Sequence, residues 1–359
     1  MIFRRTICSS KWALASSLCL SALTFSHHGM AQTTLSPEAL VAQGLAAGKD
    51  YPGLSRICAI DQPLRDITAR KSSSGNKKRT LTDEQRAERE KRSYIEPQQV
   101  FDNLYFVGNR SVASWVIKTS EGLILLDAMN TNRQAEEIIA AGIKQLGMDP
   151  NEIRYLIIAH AHGDHYGGQE YLVKSFQPRV VMSDADWQEL EKPEPEIINP
   201  KWGKAPTRDV TINDGDVIEL GDTKVQLYVT PGHTLGTISL IFPVKDGQQT
   251  HMAALWGGTG LNFGPNIERL QMYTDSAARF KALADSHDVD VFLSNHPTID
   301  NSVERMPALQ QRQVGQPHPF VDANATNAFA LLRDCSLARV VKISNYQDRV
   351  QKNSATTAN

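Results

Sequence analysis

Three of the ten histidines fall within six residues, in the segment His160-Ala-His162-Gly-Asp164-His165. Residues two apart in an extended segment project to the same side, so His160 and His162 can bind one ion. Asp164 and His165 lie just beyond and can face a second position. Protonated imidazoles packed this closely would repel one another, whereas a cation between them would stabilise the cluster. The segment therefore predicts a metal site.

Three further polar residues share the local setting of this cluster. Asp127, His233 and His296 each follow a predicted strand, as the cluster itself does. Open α/β sheets place their sites at the carboxyl ends of strands, so we expect these side chains to meet at one edge. Imidazole nitrogens with a carboxylate and no thiolate suit zinc. Taken singly, a histidine after a strand is more often a capping or core residue than a ligand.

The elements that must position these residues can be predicted from the pattern of apolar residues. Strands are predicted at residues 104–107, 114–118, 122–126, 155–159, 179–182, 217–220, 224–229, 237–242, 252–256 and 289–293. Helices are predicted at 37–47, 133–146, 168–175 and 274–285. Strands that alternate with helices, with several hairpin-like neighbours, indicate mixed sheets covered by helices, an α+β fold.

The first 31 residues have the pattern of a cleaved secretory signal. Arg4, Arg5 and Lys11 precede an apolar stretch too short to span a bilayer, and small residues precede Gln32. A buried N-terminal helix is the alternative. Cleavage after Ala31 would leave 35 basic and 40 acidic residues, a formal charge of -5, and no other segment apolar enough to cross a membrane. We therefore expect a periplasmic or secreted protein with no nucleic-acid partner and no membrane partner after cleavage.

Residues 101–300 resemble the metallo-β-lactamase superfamily. The HxHxDH signature of that family matches residues 160–165 in every required position. Its strand-end Asp corresponds to Asp127, its Pro-Gly-His turn to His233, and its final ligand histidine to His296. The resemblance implies an αββα sandwich, in which two mixed β-sheets pack face to face with helices outside.

Departures from the family pattern limit the resemblance to one part of the superfamily. Many members place an Asp that bridges two metals after a later strand, but residues 255–260 contain no carboxylate. No cysteine lies there either, which excludes the lactamase subclasses that use one. The chain is thus most similar to the third subclass of class B β-lactamases. That resemblance implies two zinc ions per chain, the first bound by His160, His162 and His233, the second by Asp164, His165 and His296.

The resemblance also implies a mechanism and a set of supporting residues. A hydroxide shared by the two zincs would attack an amide or ester carbonyl, with Asp164 orienting it. Asp127 would either organise the ligand loops or simply cap a turn. Contacts to the substrate are expected from a small set of residues, for each of which ordinary packing or loop solvation is the alternative: Thr259 and Asn262 as donors to a carboxylate, and Tyr166 and Trp256 as pocket walls.

The resulting hypothesis is a secreted dizinc hydrolase that opens β-lactam amides. A hydrolase of the same fold acting on another ester, lactone or amide is the alternative, because Gly163 stands where the third subclass often has an aromatic residue. In either case the partner is a small-molecule substrate, and the sequence does not fix the oligomeric state.

The predicted domain organisation has four parts. These are the signal at 1–31, an N-terminal extension at 32–100 with a charged flexible segment at 65–93, the hydrolase domain at 101–345, and a tail at 346–359. Within the charged segment, Thr82 and Gln85 predict a capping box at the start of a helix. Cys58 and Cys335 lie near opposite ends of the mature chain. They form either a disulfide, as exported cysteines usually do, or two buried thiols.

Overall fold

The structure, a computed structural model, describes residues 35–67, 82–197 and 199–357. These described residues form one unit of the chain. The predicted signal at 1–31 lies outside the described residues, and so do residues 68–81 of the predicted charged segment.

The first sheet has seven strands in sequence order. Its strands β1 to β4 are antiparallel, and β4 to β7 are parallel. They are β1 (Gln98–Phe101), β2 (Leu104–Phe106), β3 (Trp115–Thr119), β4 (Gly122–Leu126), β5 (Ile153–Ile157), β6 (Arg179–Ser183) and β7 (Val210–Ile212).

The second sheet has five strands in the order β12-β11-β10-β9-β8. Only the β11–β12 pair is parallel. The strands are β8 (Val217–Leu220), β9 (Thr223–Val229), β10 (Ile238–Asp246), β11 (Gln249–Trp256) and β12 (Val289–Ser294).

The two sheets pack face to face because alternate residues of their strands are apolar on the inner side. Phe106, Trp115 and Leu126 of the first sheet share one buried cluster with Leu240 and Phe242 of the second. The intervening residues point outward and pack under helices on each side. The predicted αββα sandwich is therefore confirmed.

Ten α-helices are described. They are α1 (Pro37–Ala47), α2 (Asp83–Ser93), α3 (Asn132–Gln134), α4 (Ala141–Gln145), α5 (Gly163–Tyr166), α6 (Gln169–Phe176), α7 (Asp184–Glu191), α8 (Ile267–Ser286), α9 (Ser302–Gln310) and α10 (Asn327–Thr357). A π-helical turn, Ala135–Ala140, joins α3 to α4 where the sequence predicts one regular helix. Among the described residues, no helix combines the length and apolar character that crossing a bilayer requires.

Several elements extend beyond their predicted limits. The predicted domain boundary at residue 101 falls within β1, so the first sheet begins at Gln98. The predicted tail is helical as far as Thr357, because α10 continues through it. The capping box at Thr82 and Gln85 is confirmed at the start of α2.

The N-terminal segment packs against the last helix. Helix α1 and the short 3₁₀ helix Pro52–Cys58 contact α10. Cys58 and Cys335 form a disulfide that joins the 3₁₀ helix to α10 across 277 positions of sequence. Of the two open alternatives for these cysteines, the structure has the disulfide.

Candidate metal centre and active-site cavity

The residues predicted to meet at a sheet edge do meet, and both sheets contribute. Asp127 follows β4 and the histidine cluster follows β5, both in the first sheet. His233 follows β9 and His296 follows β12 in the second sheet. The His165 ring centroid lies 4.1 Å from that of His160 and 5.1 Å from that of His296.

Backbone and carboxylate acceptors fix the tautomers of four of these imidazoles. The Nδ1 atoms lie 2.7 Å from Gly257 O in His160, 2.7 Å from Asp127 Oδ2 in His165, 2.5 Å from Gly260 O in His233, and 2.6 Å from Ser111 O in His296. Because these oxygens only accept hydrogen bonds, each Nδ1 carries the proton and each Nε2 keeps its lone pair. A set of neighbouring Nε2 lone pairs is what a metal ion requires.

The ligand atoms of His160, His162 and His233 lie within 4.8 Å of one another, as do those of His160, Asp164 and His165. The first trio is the predicted first metal group. The second trio has His160 in place of the predicted His296, so the assignment of His296 to a second ion stays a prediction.

Burial and mutual repulsion keep four of the imidazoles neutral. Desolvation lowers the pKa of His160 and His162 well below the usual value, and neighbouring imidazoles lower both further. Desolvation also lowers the pKa of His233, to about 4, and that of His296. A neutral imidazole is the form that binds a metal, so the histidines are already in the state that binding needs.

Asp164 and His165 shift each other's pKa in opposite directions. Burial alone would raise the pKa of Asp164, but His165 and other imidazoles outweigh it and lower the pKa to about 2. Burial alone would lower the pKa of His165, and the carboxylates of Asp164 and Asp127 outweigh it and raise the pKa. The ionised carboxylate of Asp164, 3.5 Å from His165 Nε2, thus marks where positive charge is stabilised.

Asp127 joins two parts of the site. Its Oδ1 accepts a hydrogen bond from the backbone N–H of Ala159, and its Oδ2 accepts one from His165 Nδ1. Its φ of 62° lies in the left-handed region, which aspartate tolerates better than most residues. These contacts support the predicted role of Asp127 in organising the ligand loops.

Two buried charged residues that the sequence analysis missed hold the ligand turns. The Asp186 carboxylate accepts hydrogen bonds from Ala161 N, Gly236 N and Thr234 Oγ1, which ties the turn bearing His160 and His162 to the loop after His233. Burial raises the pKa of Asp186 to about 6. No local motif marks Asp186, because its partners are distant in sequence.

Arg269 of α8 fastens the His233 turn from the other side. Its guanidinium donates to the carbonyls of Gly232 and His233 and forms an ion pair with Glu196. Arg269 therefore links the His233 turn to the loop that carries Glu196.

That loop also supplies Trp202, a third residue that the sequence analysis missed. A Cβ at position 163 would lie 2.3 Å from the Trp202 ring, so only glycine at 163 leaves room for the indole. The ring centroid of Trp202 lies 6.4 Å from that of His162, and the two planes are 20° apart. The signal for Trp202 available in the sequence was Gly163, because the third subclass often has an aromatic residue at that position.

The candidate metal ligands open onto a cavity of about 2040 Å³. Thr259, Asn262 and Trp202 line it together with His162 and Asp164. The hydroxyl of Thr259 is buried and has no hydrogen-bond partner among the described residues.

The expectation that Tyr166 and Trp256 form cavity walls is wrong. Trp256 is 1% exposed and packs against Tyr273 and Phe280, on the side of the second sheet that faces α8. The Trp256 side chain lies on the face of β11 that points away from the first sheet. Tyr166 is 7% exposed and packs behind Trp202.

Residues 107–246 match the family model described as the metallo-beta-lactamase superfamily. This match identifies residues 107–246 as a metallo-β-lactamase superfamily domain.

Solved metallo-β-lactamases of subclass B3 share its fold. The enzyme of Bradyrhizobium japonicum is 26% identical and superposes with a TM-score of 0.55, covering 74% of this chain and 97% of that chain. A subclass B3 enzyme from a soil metagenome library is 24% identical, with a TM-score of 0.60 over 71% of this chain and 99% of that one.

Curated relatives match over shorter stretches. The hydroxyacylglutathione hydrolase of Rhodopseudomonas palustris is 36% identical over 87 residues, 24% of this chain and 28% of the relative. That of Chromohalobacter salexigens is 28% identical over 199 residues, 55% of this chain and 64% of the relative. The chain thus matches less than two thirds of the length of these relatives.

Glycine is sterically required at two positions of the segment 255–260, which contains no carboxylate. A Cβ at position 257 would lie 1.9 Å from Ile238 O, and one at position 258 would lie 2.6 Å from the His233 side chain. Gly257 also supplies the carbonyl that fixes the His160 tautomer. An aspartate or glutamate side chain is therefore sterically excluded at positions 257 and 258.

Proposed function

We propose that the protein is an exported dizinc hydrolase that opens the amide bond of β-lactams. The observation that carries the proposal is the ligand arrangement, in which imidazole lone pairs and one carboxylate converge while glycines occupy positions 257 and 258. The similarity to the subclass B3 enzyme of Bradyrhizobium japonicum, over 97% of its length, supports the same choice.

The residues present fit zinc. The Nε2 atoms of His162 and His165 are buried and have no hydrogen-bond partner among the described residues, which is costly unless a ligand satisfies them. Both mature cysteines are consumed by the disulfide, so the donors are nitrogen and oxygen only. His160, His162 and His233 would hold one ion, and Asp164, His165 and His296 the second. Bound there, zinc would supply a Lewis acid and water acidic enough to serve as a nucleophile at neutral pH.

The chain's own residues would orient the reactants. The ionised carboxylate of Asp164 would accept a hydrogen bond from the attacking water and hold it beside the scissile carbonyl. The unpartnered hydroxyl of Thr259 would donate to the substrate carboxylate, with Asn262 as a second donor at the same wall. The half-buried indole of Trp202 would pack on the apolar part of the substrate and exclude water from that side.

A second candidate function is hydrolysis of a thioester or ester. Two observations favour it, namely the similarity to proteins named hydroxyacylglutathione hydrolase and the glycine at position 163.

Export is supported by the Cys58–Cys335 disulfide, since such bonds persist in oxidising compartments.

A substrate panel separates the two functions. Zinc-loaded mature protein would be assayed with a chromogenic cephalosporin, a carbapenem and an S-hydroxyacylglutathione, with and without a chelator. We expect chelator-sensitive turnover of at least one β-lactam, with kcat/KM well above that for the thioester. Thioester turnover without lactam turnover would refute the β-lactamase function and support the second candidate.

A further inference from the structure

The cavity extends well beyond the metal ligands, and its outer wall is built by the N-terminal part of the chain. Asp66 forms a β-bridge with Phe263, and Ile67 N donates to Asn262 O. At the other side, Arg110 N donates to Ser93 O at the end of α2. The outer wall is therefore attached to two loops of the site. One carries Asn262, and the other carries Ser111, whose backbone carbonyl accepts a hydrogen bond from His296 Nδ1.

This outer wall is rich in arginine. Arg56, Arg65, Arg89 and Arg110 line the cavity and are exposed. Within the part of the chain that the structure describes, none of these four guanidinium groups forms an ion pair or hydrogen bond. Two other arginines of the lining are already engaged, because Arg92 pairs with Glu88 and Arg339 donates to three backbone carbonyls.

The acidic residues of the same cavity do not cancel this charge. Glu196 is paired with Arg269, and Asp164 lies in the metal group beside His165. Asp66 and Glu194 also have partners. Four unpaired positive groups thus face one cavity in a chain whose formal net charge is -2.

We propose that the arginine wall binds an anionic group of the substrate, a carboxylate or phosphate remote from the scissile bond. This inference rests on the proposed hydrolase function and specifies its substrate class. Guanidinium groups are suited to this task because their planar donors match the oxygens of carboxylate and phosphate. Several unpaired guanidinium groups around one opening also attract anions at a distance within the screening length.

The first test is a matched substrate pair. Two chromogenic substrates with the same scissile bond, one with a carboxylate on its remote side chain and one with the corresponding amide, would be compared. We expect the wild type to favour the acid in kcat/KM by roughly tenfold at low ionic strength, since exposed ion pairs each contribute a factor of about two to five. The preference should reside in KM and shrink as salt is added.

Variants locate the effect. In the R56Q/R65Q/R89Q/R110Q variant the preference for the acid should fall to about one, whereas R154Q, an exposed arginine of the first sheet outside the cavity, should keep it. The pairs R56Q/R65Q and R89Q/R110Q should each lose part of it, which keeps the test valid if the fourfold variant does not fold.

A binding measurement separates this inference from the proposed function. Glutarate would be titrated calorimetrically into the zinc-loaded wild type, the R154Q control and the paired variants. Binding that weakens only in the arginine-wall variants supports the inference whether or not a lactam is hydrolysed. Equal glutarate binding in all variants, or hydrolysis of both substrates with no preference for the acid, would overturn it while leaving the hydrolase function intact.

Discussion

Replacing Asp127 by asparagine tests whether this residue controls the tautomer of a metal ligand. The change preserves shape, and asparagine tolerates the left-handed φ of 62° as well as aspartate does. In the wild type, the Asp127 carboxylate accepts hydrogen bonds from two donors, the backbone N–H of Ala159 and Nδ1 of His165, each at 2.7 Å. An amide offers only one accepting oxygen, so one of these two bonds must be lost.

The buried backbone donor is expected to keep the oxygen. The NH₂ group of the introduced amide would then face His165 Nδ1, which would have to give up its proton to accept. The proton would move to Nε2 and remove the lone pair that the metal needs. Loss of such a partner typically weakens metal affinity about 10- to 100-fold, roughly 1.4–2.8 kcal/mol.

The measurement is competition for zinc between the protein and a chromogenic chelator. We expect D127N to weaken the site containing His165 by about 10- to 100-fold, with the His160–His162–His233 site nearly unchanged. D209N is a matched control, because Asp209 also accepts from a backbone N–H and a side chain, Val180 N and Arg179, at a distant edge. A folded D127N protein that binds both ions with wild-type affinity would refute the tautomer argument.

Three further predictions concern the ligands, the disulfide and a buried acid. H162A should lose one bound ion and H296A the other, while H287Q, outside the site, keeps both; metal content by mass spectrometry of two ions in either alanine variant would contradict the assignment. C58S should lower the free energy of unfolding by about 2–5 kcal/mol, and the wild type in reductant should fall to the same value in urea denaturation. Asp300 is completely buried, and burial raises the pKa of its carboxyl to about 6. Because the folded state binds this proton more tightly than the unfolded chain, the group stabilises the fold below pH about 4, and that contribution, about 3 kcal/mol, is lost as the pH rises through 6. The advantage of wild type over D300N in unfolding free energy should therefore shrink between pH 4 and 7, and a constant difference would show that Asp300 does not titrate this way.

The metal ligands could be predicted from sequence because their signals are local. The His160–His165 segment has ligand spacing within six residues, and each other ligand follows an apolar strand. Strand ends of a layered fold meet at one edge, so a local pattern is enough to place a distant residue.

The residues that hold those ligands could not be predicted in the same way. Asp186 and Arg269 act through backbone groups of distant turns, and such contacts leave no spacing in the sequence. Helix α8 begins at Ile267, seven residues before its predicted start. The pattern of apolar residues did not reveal this start, because the first turns of the helix bury polar residues such as Arg269 and Thr274. The outward position of Trp256 was available from the period-two alternation of β11, which places it opposite Leu255 of the inner face.

The close fit of Trp202 against Gly163 constrains how this cavity can change by mutation. Any side chain introduced at position 163 would collide with the indole, and the adjacent Gly203 leaves the loop no space to retreat, since a Cβ there would lie 1.8 Å from Gly167 O. Substitutions at 163 and 202 are therefore expected to be strongly epistatic. A lineage could acquire a residue at 163 only after the tryptophan had been lost, so the order of the two events is fixed by sterics.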